Sequence, residues 1–239
     1  MKLITSISGI RGIYGQTLTD SIASKYVHSF SDIQTSGTIL LAQDSRPHGK
    51  YLYEKISQTL RALGRDVISC GIIPTPTAQY IIKEKKLAGG VVITASHNPI
   101  EWNGLKFLDD DGCFLNPEKM EQLLSQNPKP MASNTTGDII ESDDAYQNHI
   151  DNVLNLSCID IDKIKTKNFK VVVDTVNGAA YKALPELLEA LNCDVVKIHC
   201  NNDGTFPRGT EPIPSHLEDL SKAVSKHNAD IGFATDPDA

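Results

Sequence analysis

The 239 residues carry a formal net charge of -7, with 40% hydrophobic and 22% charged side chains, enough apolar material for one large or two ordinary packed domains and too little bias for a disordered chain. The acidic balance excludes nucleic acid as the main partner, since no basic block is present to release counterions, and no apolar run approaches the ~18 residues of a membrane span. The five cysteines, at 70, 113, 158, 193 and 200, form no C-x-x-C pair and read as reduced structural thiols; with no apolar leader segment after Met1, the chain reads as cytoplasmic.

Residues 2–7 read as a strand. Ser8-Gly9-Ile10-Arg11-Gly12-Ile13-Tyr14-Gly15 reads as a tight loop whose glycines bend the backbone and project Arg11. Thr19 caps a helix with Ile22, Ala23, Tyr26, Val27 and Phe30 on one face. A buried strand, Thr38 to Ala42, ends at Asp44-Ser45-Arg46-Pro47, and Leu52, Ile56, Leu60 and Leu63 mark a helix stopped by Gly64. Asp66 to Ser69 form a second strand, Pro74-Thr75-Pro76-Thr77 a rigid connector, and residues 77–86 a helix. The β-branched run Gly89 to Ile93 follows and ends in Thr94-Ala95-Ser96-His97-Asn98-Pro99. Leu105 to Leu108 read as a strand, and Asp109-Asp110-Asp111-Gly112 as a solvated turn, because an EF-hand needs further carboxylates downstream. After a helix at 117–125, the low-hydrophobicity stretch Gln126 to Gly137 reads as a linker, which divides the chain into domains 1–137 and 138–239.

The second half repeats the first. Lys170 to Asp174 is a strand ending at aspartate, as Leu40 to Asp44 is, and Asn177-Gly178 is expected to open a helix. Leu188 to Val195 matches Leu60 to Val67 at Leu, Ala, Leu, Asp and Val. A Gly- and Pro-rich loop from Asp203 to Pro214, a helix at 215–227 and a strand from Ala229 to Ala234 lead to Thr235-Asp236-Pro237-Asp238-Ala239. The alternation predicts two related three-layer α/β domains with mixed, largely parallel sheets.

Three features point to chemistry. Ser96 with His97 sits at the end of an apolar strand, Lys106 follows ten residues later, and Asp236 and Asp238 close another strand, where open α/β sheets place ligands. In extended backbone residues two apart face the same way, so Asp236 and Asp238 are candidate ligands for one hard cation; a plain turn is the other reading. Ser96 lacks the G-x-S-x-G context of a hydrolase, and adjacent His97 is poorly placed as its base. A phosphoserine suits a neighbouring metal and lysine better, although a structural loop also fits these residues.

Thr94 to Pro99 with Asn103-Gly104-Leu105-Lys106, the opening Ser8-Gly9-Ile10-Arg11-Gly12, and Asp236-Pro237-Asp238-Ala239 together resemble the α-D-phosphohexomutases, the phosphoglucomutase, phosphomannomutase and phosphoglucosamine mutase family. The resemblance implies the first two domains of an isomerase-class phosphotransferase that interconverts hexose 1-phosphate and 6-phosphate through a sugar 1,6-bisphosphate. It implies that Ser96 carries the phosphoryl group, that Asp236 and Asp238 hold Mg²⁺ against it, and that Lys106, Arg11 and His97 act on the transferring group. The implied partner is a small phosphosugar, with no nucleic acid and no membrane. A third metal aspartate, the sugar-selecting loop and the phosphate-docking loop of such enzymes are not among these residues, so further carboxy-terminal domains and a poorly active isolated chain are expected. A non-catalytic sugar-phosphate-binding module that keeps the serine loop is the alternative.

Overall fold

The computed structural model describes residues 2–127, 136–142 and 145–239. Its first sheet has seven strands in the order β1-β2-β6-β5-β3-β4-β7. These are β1 Ile4–Ser6, β2 Gly9–Ile13, β3 Ile39–Gln43, β4 Val67–Ile72, β5 Gly89–Ile93, β6 Trp102–Leu108 and β7 Ile139–Glu141. The pairings β5-β3, β3-β4 and β4-β7 are parallel, whereas β1-β2, β2-β6 and β6-β5 are antiparallel, so the sheet is mixed and only β1 and β6 run against the other five. The helices are α1 Asp20–Ile33, α2 Gly49–Ala62, α3 Thr75–Lys85, α4 Pro117–Ser125 and α5 Ala145–Leu154.

Side-chain alternation along the strands sorts these helices into layers. Ile39, Leu41, Val91 and Ile93 face a core shared with α1, α2 and α4, through Val27, Phe30, Leu52, Ile56 and Leu123. Leu40, Ala42 and Val92 face the opposite way, onto Ala78, Ile81 and Ile82 of α3 and Ala145 of α5. β3 is thus apolar at consecutive positions because both of its faces are covered.

The second sheet is parallel throughout, in the order β10-β8-β9, with β8 Lys170–Asp174, β9 Asp194–Ile198 and β10 Ile231–Ala234. A short helix, α6 Ile161–Lys165, precedes it; α7 Ala183–Ala190 packs Leu188 on one face, and α8 Glu218–His227 packs Leu220 and Ala223 on the other. This order reproduces the parallel part of the first sheet, β5-β3-β4: the first strand of the unit is central, the second lies on one side and the third on the other. The two helix ends match in detail. Gly64 N–H donates to Arg61 O and Arg65 N–H to Leu60 O; Asn192 N–H donates to Glu189 O and Cys193 N–H to Leu188 O. Gly64 and Asn192 both take positive φ, +80° and +59°, as a left-handed helix stop requires.

Several local expectations are corrected. Arg11 lies on strand β2, not in a loop, because Gly9 to Ile13 pairs with both β1 and β6; a Cβ on Gly9 would fall 2.0 Å from Leu105 O, so glycine there permits the pairing. Pro74-Thr75-Pro76-Thr77 is the start of α3 itself, with proline in the first turn, where its missing N–H is harmless. Asn177-Gly178 does not open a helix: Val176 and Asn177 are left-handed, and α7 starts at Ala183. Of the expected linker, residues 128–135 lie outside the described residues. β7 lies past the expected 137/138 division and completes the first sheet, tied there by Gly137 N–H to Arg61 O and Asp138 N–H to Asp66 Oδ1. No helix among the described residues is long and apolar enough to cross a membrane.

Candidate active site

β5 and β10 hold equivalent places in their sheets, and the loops that leave them meet. Ser96, three residues past β5, donates its hydroxyl to Asp236 Oδ2 at 2.8 Å, two residues past β10. Lys106, on β6 and paired in register with Val92, donates Nζ to Asp238 Oδ2 at 2.5 Å. Thr75, the first residue of α3, adds its hydroxyl to the same oxygen at 2.8 Å and its N–H to Asp238 O. The first unit therefore brings hydroxyls and an ammonium, and the second brings two carboxylates.

Asp236 and Asp238 converge, but not by extension. Pro237 and Asp238 form a turn, which sets the two carboxyls close enough for each to influence the other's ionisation. Burial and the neighbouring Asp238 charge push the Asp236 carboxyl up, against the pull of the Ser96 hydroxyl and Lys106. Burial also acts to raise Asp238, but the Lys106 charge and hydrogen bond, with Thr75 and Asp236, hold it below the usual range. The result is one low carboxyl against the ammonium and one raised carboxyl against the serine hydroxyl.

The other expected residues are placed less directly. Arg11 reaches the serine loop through Asn98, donating Nη1 to Oδ1 at 3.1 Å, and Nη2 to Ser8 Oγ at 3.4 Å. His97 is exposed and its ring makes no hydrogen bond among the described residues; its carbonyl accepts from the Thr210 hydroxyl of the second unit. Among the described residues no group of three or more His, Cys, Asp or Glu side chains is arranged to hold a metal. What is present is a buried carboxylate, Asp238, and a half-buried one, Asp236, the latter beside the Ser96 hydroxyl, an all-oxygen donor set that suits a hard cation as part of its shell.

Arg46, in the segment Asp44-Ser45-Arg46-Pro47, carries no role legible from its sequence context. Arg46 is buried and donates Nε to Asp44 Oδ2 at 2.9 Å, while Thr94 donates to the same oxygen at 2.7 Å. Burial pushes Asp44 up to about 6 against these donors. Across the pseudo-repeat, Arg208 stands in the corresponding relation to Asp174. Its Nε lies 2.8 Å from Oδ2, unaligned for a hydrogen bond, and its Nη2 donates to Thr235 O at 2.6 Å, beside Asp236. The legible signal for both was the strand-terminal aspartate; the arginines follow at unequal spacings, which periodicity does not reveal.

Residues 2–131 match the family described as phosphoglucomutase/phosphomannomutase, alpha/beta/alpha domain I, and residues 144–239 match its alpha/beta/alpha domain II. The chain belongs to the phosphoglucomutase/phosphomannomutase family. Similar relatives include a phosphoglucosamine mutase of Nautilia profundicola, 34% identical over all of this chain and 54% of its own length. A phosphoglucomutase/phosphomannomutase of Thermococcus kodakarensis is 35% identical over 97% of this chain and 52% of its own. The crystal structure of a phosphoglucomutase/phosphomannomutase family protein from Burkholderia thailandensis superposes with a TM-score of 0.81 at 26% identity, over 98% of this chain and 54% of that one. The chain spans about half the length of the curated relatives it matches.

Proposed function

We propose that the protein is a phosphohexomutase in which Ser96 receives and returns a phosphoryl group, passing a hexose between its 1- and 6-phosphates through the 1,6-bisphosphate. The observation that carries this reading is the meeting of Ser96 with Asp236 and of Lys106 with Asp238 across the two units. In the forward half-reaction the Ser96 Oγ–P bond forms as the donor's ester P–O bond breaks. The serine proton has Asp236 Oδ2 as its acceptor, and the departing sugar oxygen takes a proton from the Lys106 ammonium. Lys106 balances charge on the equatorial oxygens, and Arg11, bonded to Asn98 of the serine loop, and exposed His97 add charge stabilisation there. Phosphoryl transfer depends chiefly on such positioning and on cations around the phosphoryl oxygens.

Asp236, Asp238 and the oxygens on Ser96 would hold Mg²⁺, which when bound supplies positive charge at the phosphoryl group. Glucosamine, glucose and mannose phosphates are the substrate class that the relatives' names suggest, and a cytoplasmic setting suits them. The test is ³¹P NMR of the native-length protein with a hexose 6-phosphate, trace 1,6-bisphosphate and Mg²⁺. Interconversion that stops in Ser96→Ala and on chelation supports the reading. Tight binding of the bisphosphate without any transfer would instead favour a non-catalytic sugar-phosphate module.

A further inference from the structure

Arg46 uses all five of its guanidinium N–H donors, four of them on one short segment. Nε goes to Asp44; Nη1 goes to Pro99 O at 2.6 Å and Trp102 O at 3.1 Å; Nη2 goes to Ser96 O at 2.6 Å and Asn98 O at 2.8 Å. The intervening carbonyls are held by neighbours: His97 O by Thr210, Ile100 O by His48 Nε2 at 2.9 Å, and Glu101 O by Tyr14 N–H. Every carbonyl from 96 to 102 is therefore engaged. A trans peptide sets its N–H opposite its C=O, so the N–H groups of His97 and Ile100, whose preceding carbonyls face Arg46 or its flank, point away from the guanidinium. Ser96 itself has φ +51°, a conformation that a serine rarely enters and keeps only when its surroundings determine it. The Phe206 ring of the second unit covers the guanidinium at 5.1 Å.

We propose that Arg46 is a positioning residue for phosphoryl transfer at Ser96: its fork holds the serine in the left-handed region and turns the loop's carbonyl dipoles away from the oxygen that gains negative charge. This rests on the reading of Ser96 as phosphoryl acceptor. Buried at 2% exposure, Arg46 does not touch the sugar. A lysine would keep the charge but present a point donor that cannot span four carbonyls.

The test measures Ser96 phosphorylation from hexose 1,6-bisphosphate in the native-length protein, with Arg46→Lys and Arg46→Ala, alongside amide hydrogen exchange over 96–102. The expected result is a transfer rate lower by about 100-fold in both variants, the penalty of a misplacement near 1 Å. The half-saturating bisphosphate concentration should stand within about twofold of the wild type, since uniform binding is untouched, and exchange should accelerate in the loop. If Arg46→Ala does not fold, Arg46→Lys decides. A wild-type rate in Arg46→Lys, or a weakened half-saturation at unchanged rate, overturns the proposal. Should wild-type Ser96 accept no phosphoryl group at all, the functional reading fails by itself, while loop exchange still reports whether Arg46 holds the segment.

Discussion

Removing Lys106 should loosen the two units from each other, and the amount can be worked from the ion pair. Lys106 Nζ and Asp238 Oδ2 are 2.5 Å apart, with side chains only 12% and 4% exposed. At an effective dielectric constant near 20 the attraction is about 7 kcal/mol. Desolvation of the two ions takes back several kcal/mol, leaving a net coupling of about 3 kcal/mol. In Lys106→Met, Asp238 keeps the Thr75 hydroxyl but gains an uncompensated burial beside Asp236. The assay is a urea-unfolding cycle of wild type, Lys106→Met, Asp238→Asn and the double variant, with chelator present. The sign of the pH dependence is fixed: wild-type Asp238 is held low in the folded state, so its stabilisation is present above the ordinary carboxyl range and lost as pH falls through the folded value. Lys106→Met should therefore cost about 3 kcal/mol at pH 7 and progressively less as pH falls below the ordinary carboxyl range. Additive single effects, within about 0.5 kcal/mol at pH 7, would refute the argument.

The close approach of Gly178 to the aspartate loop gives a second prediction. A Cβ there would lie 2.7 Å from Pro237 O and 2.8 Å from Pro237 Cα, so Gly178→Ala should destabilise the chain by about 1–3 kcal/mol and shift the backbone amide resonances of 236–238; an unshifted spectrum would contradict it. Thiol chemistry gives a third. Cys70 is buried and its thiol pushed up to about 12, whereas Cys113 and Cys158 are exposed. At pH 8 a disulfide reagent should label exposed Cys158 promptly, Cys113 more slowly because the neighbouring Asp111 charge pushes its thiol up, and Cys70 only on unfolding; rapid labelling of Cys70 in folded protein would disprove its burial.

The layers were legible because β3, β5 and β8 are apolar at consecutive positions, a pattern that needs cover on both faces. The repeat was legible because Leu60 to Val67 and Leu188 to Val195 build the same helix stop. Short chiral features were harder to read. Gly9 to Ile13 looked like a loop because glycine usually marks turns, yet here it admits a neighbouring strand. At Asn177-Gly178, cap-like residues serve a left-handed turn instead. In the site, Ser96, Asp236 and Asp238 could be picked out by residue type just past strand ends, and Lys106 by its place ten residues after Ser96. Arg46 and Thr75 could not, since their importance lies in carbonyls and carboxylates distant in sequence.

The central claim is that Ser96 is the phosphoryl acceptor, and peptide-resolved mass spectrometry tests it most directly. The native-length protein is incubated with hexose 1,6-bisphosphate and Mg²⁺, quenched, and digested. The account predicts a single added phosphoryl group on the peptide containing Ser96, absent in Ser96→Ala and sharply reduced in Asp236→Asn. Phosphorylation at another residue, or equal labelling of Ser96→Ala, would contradict it.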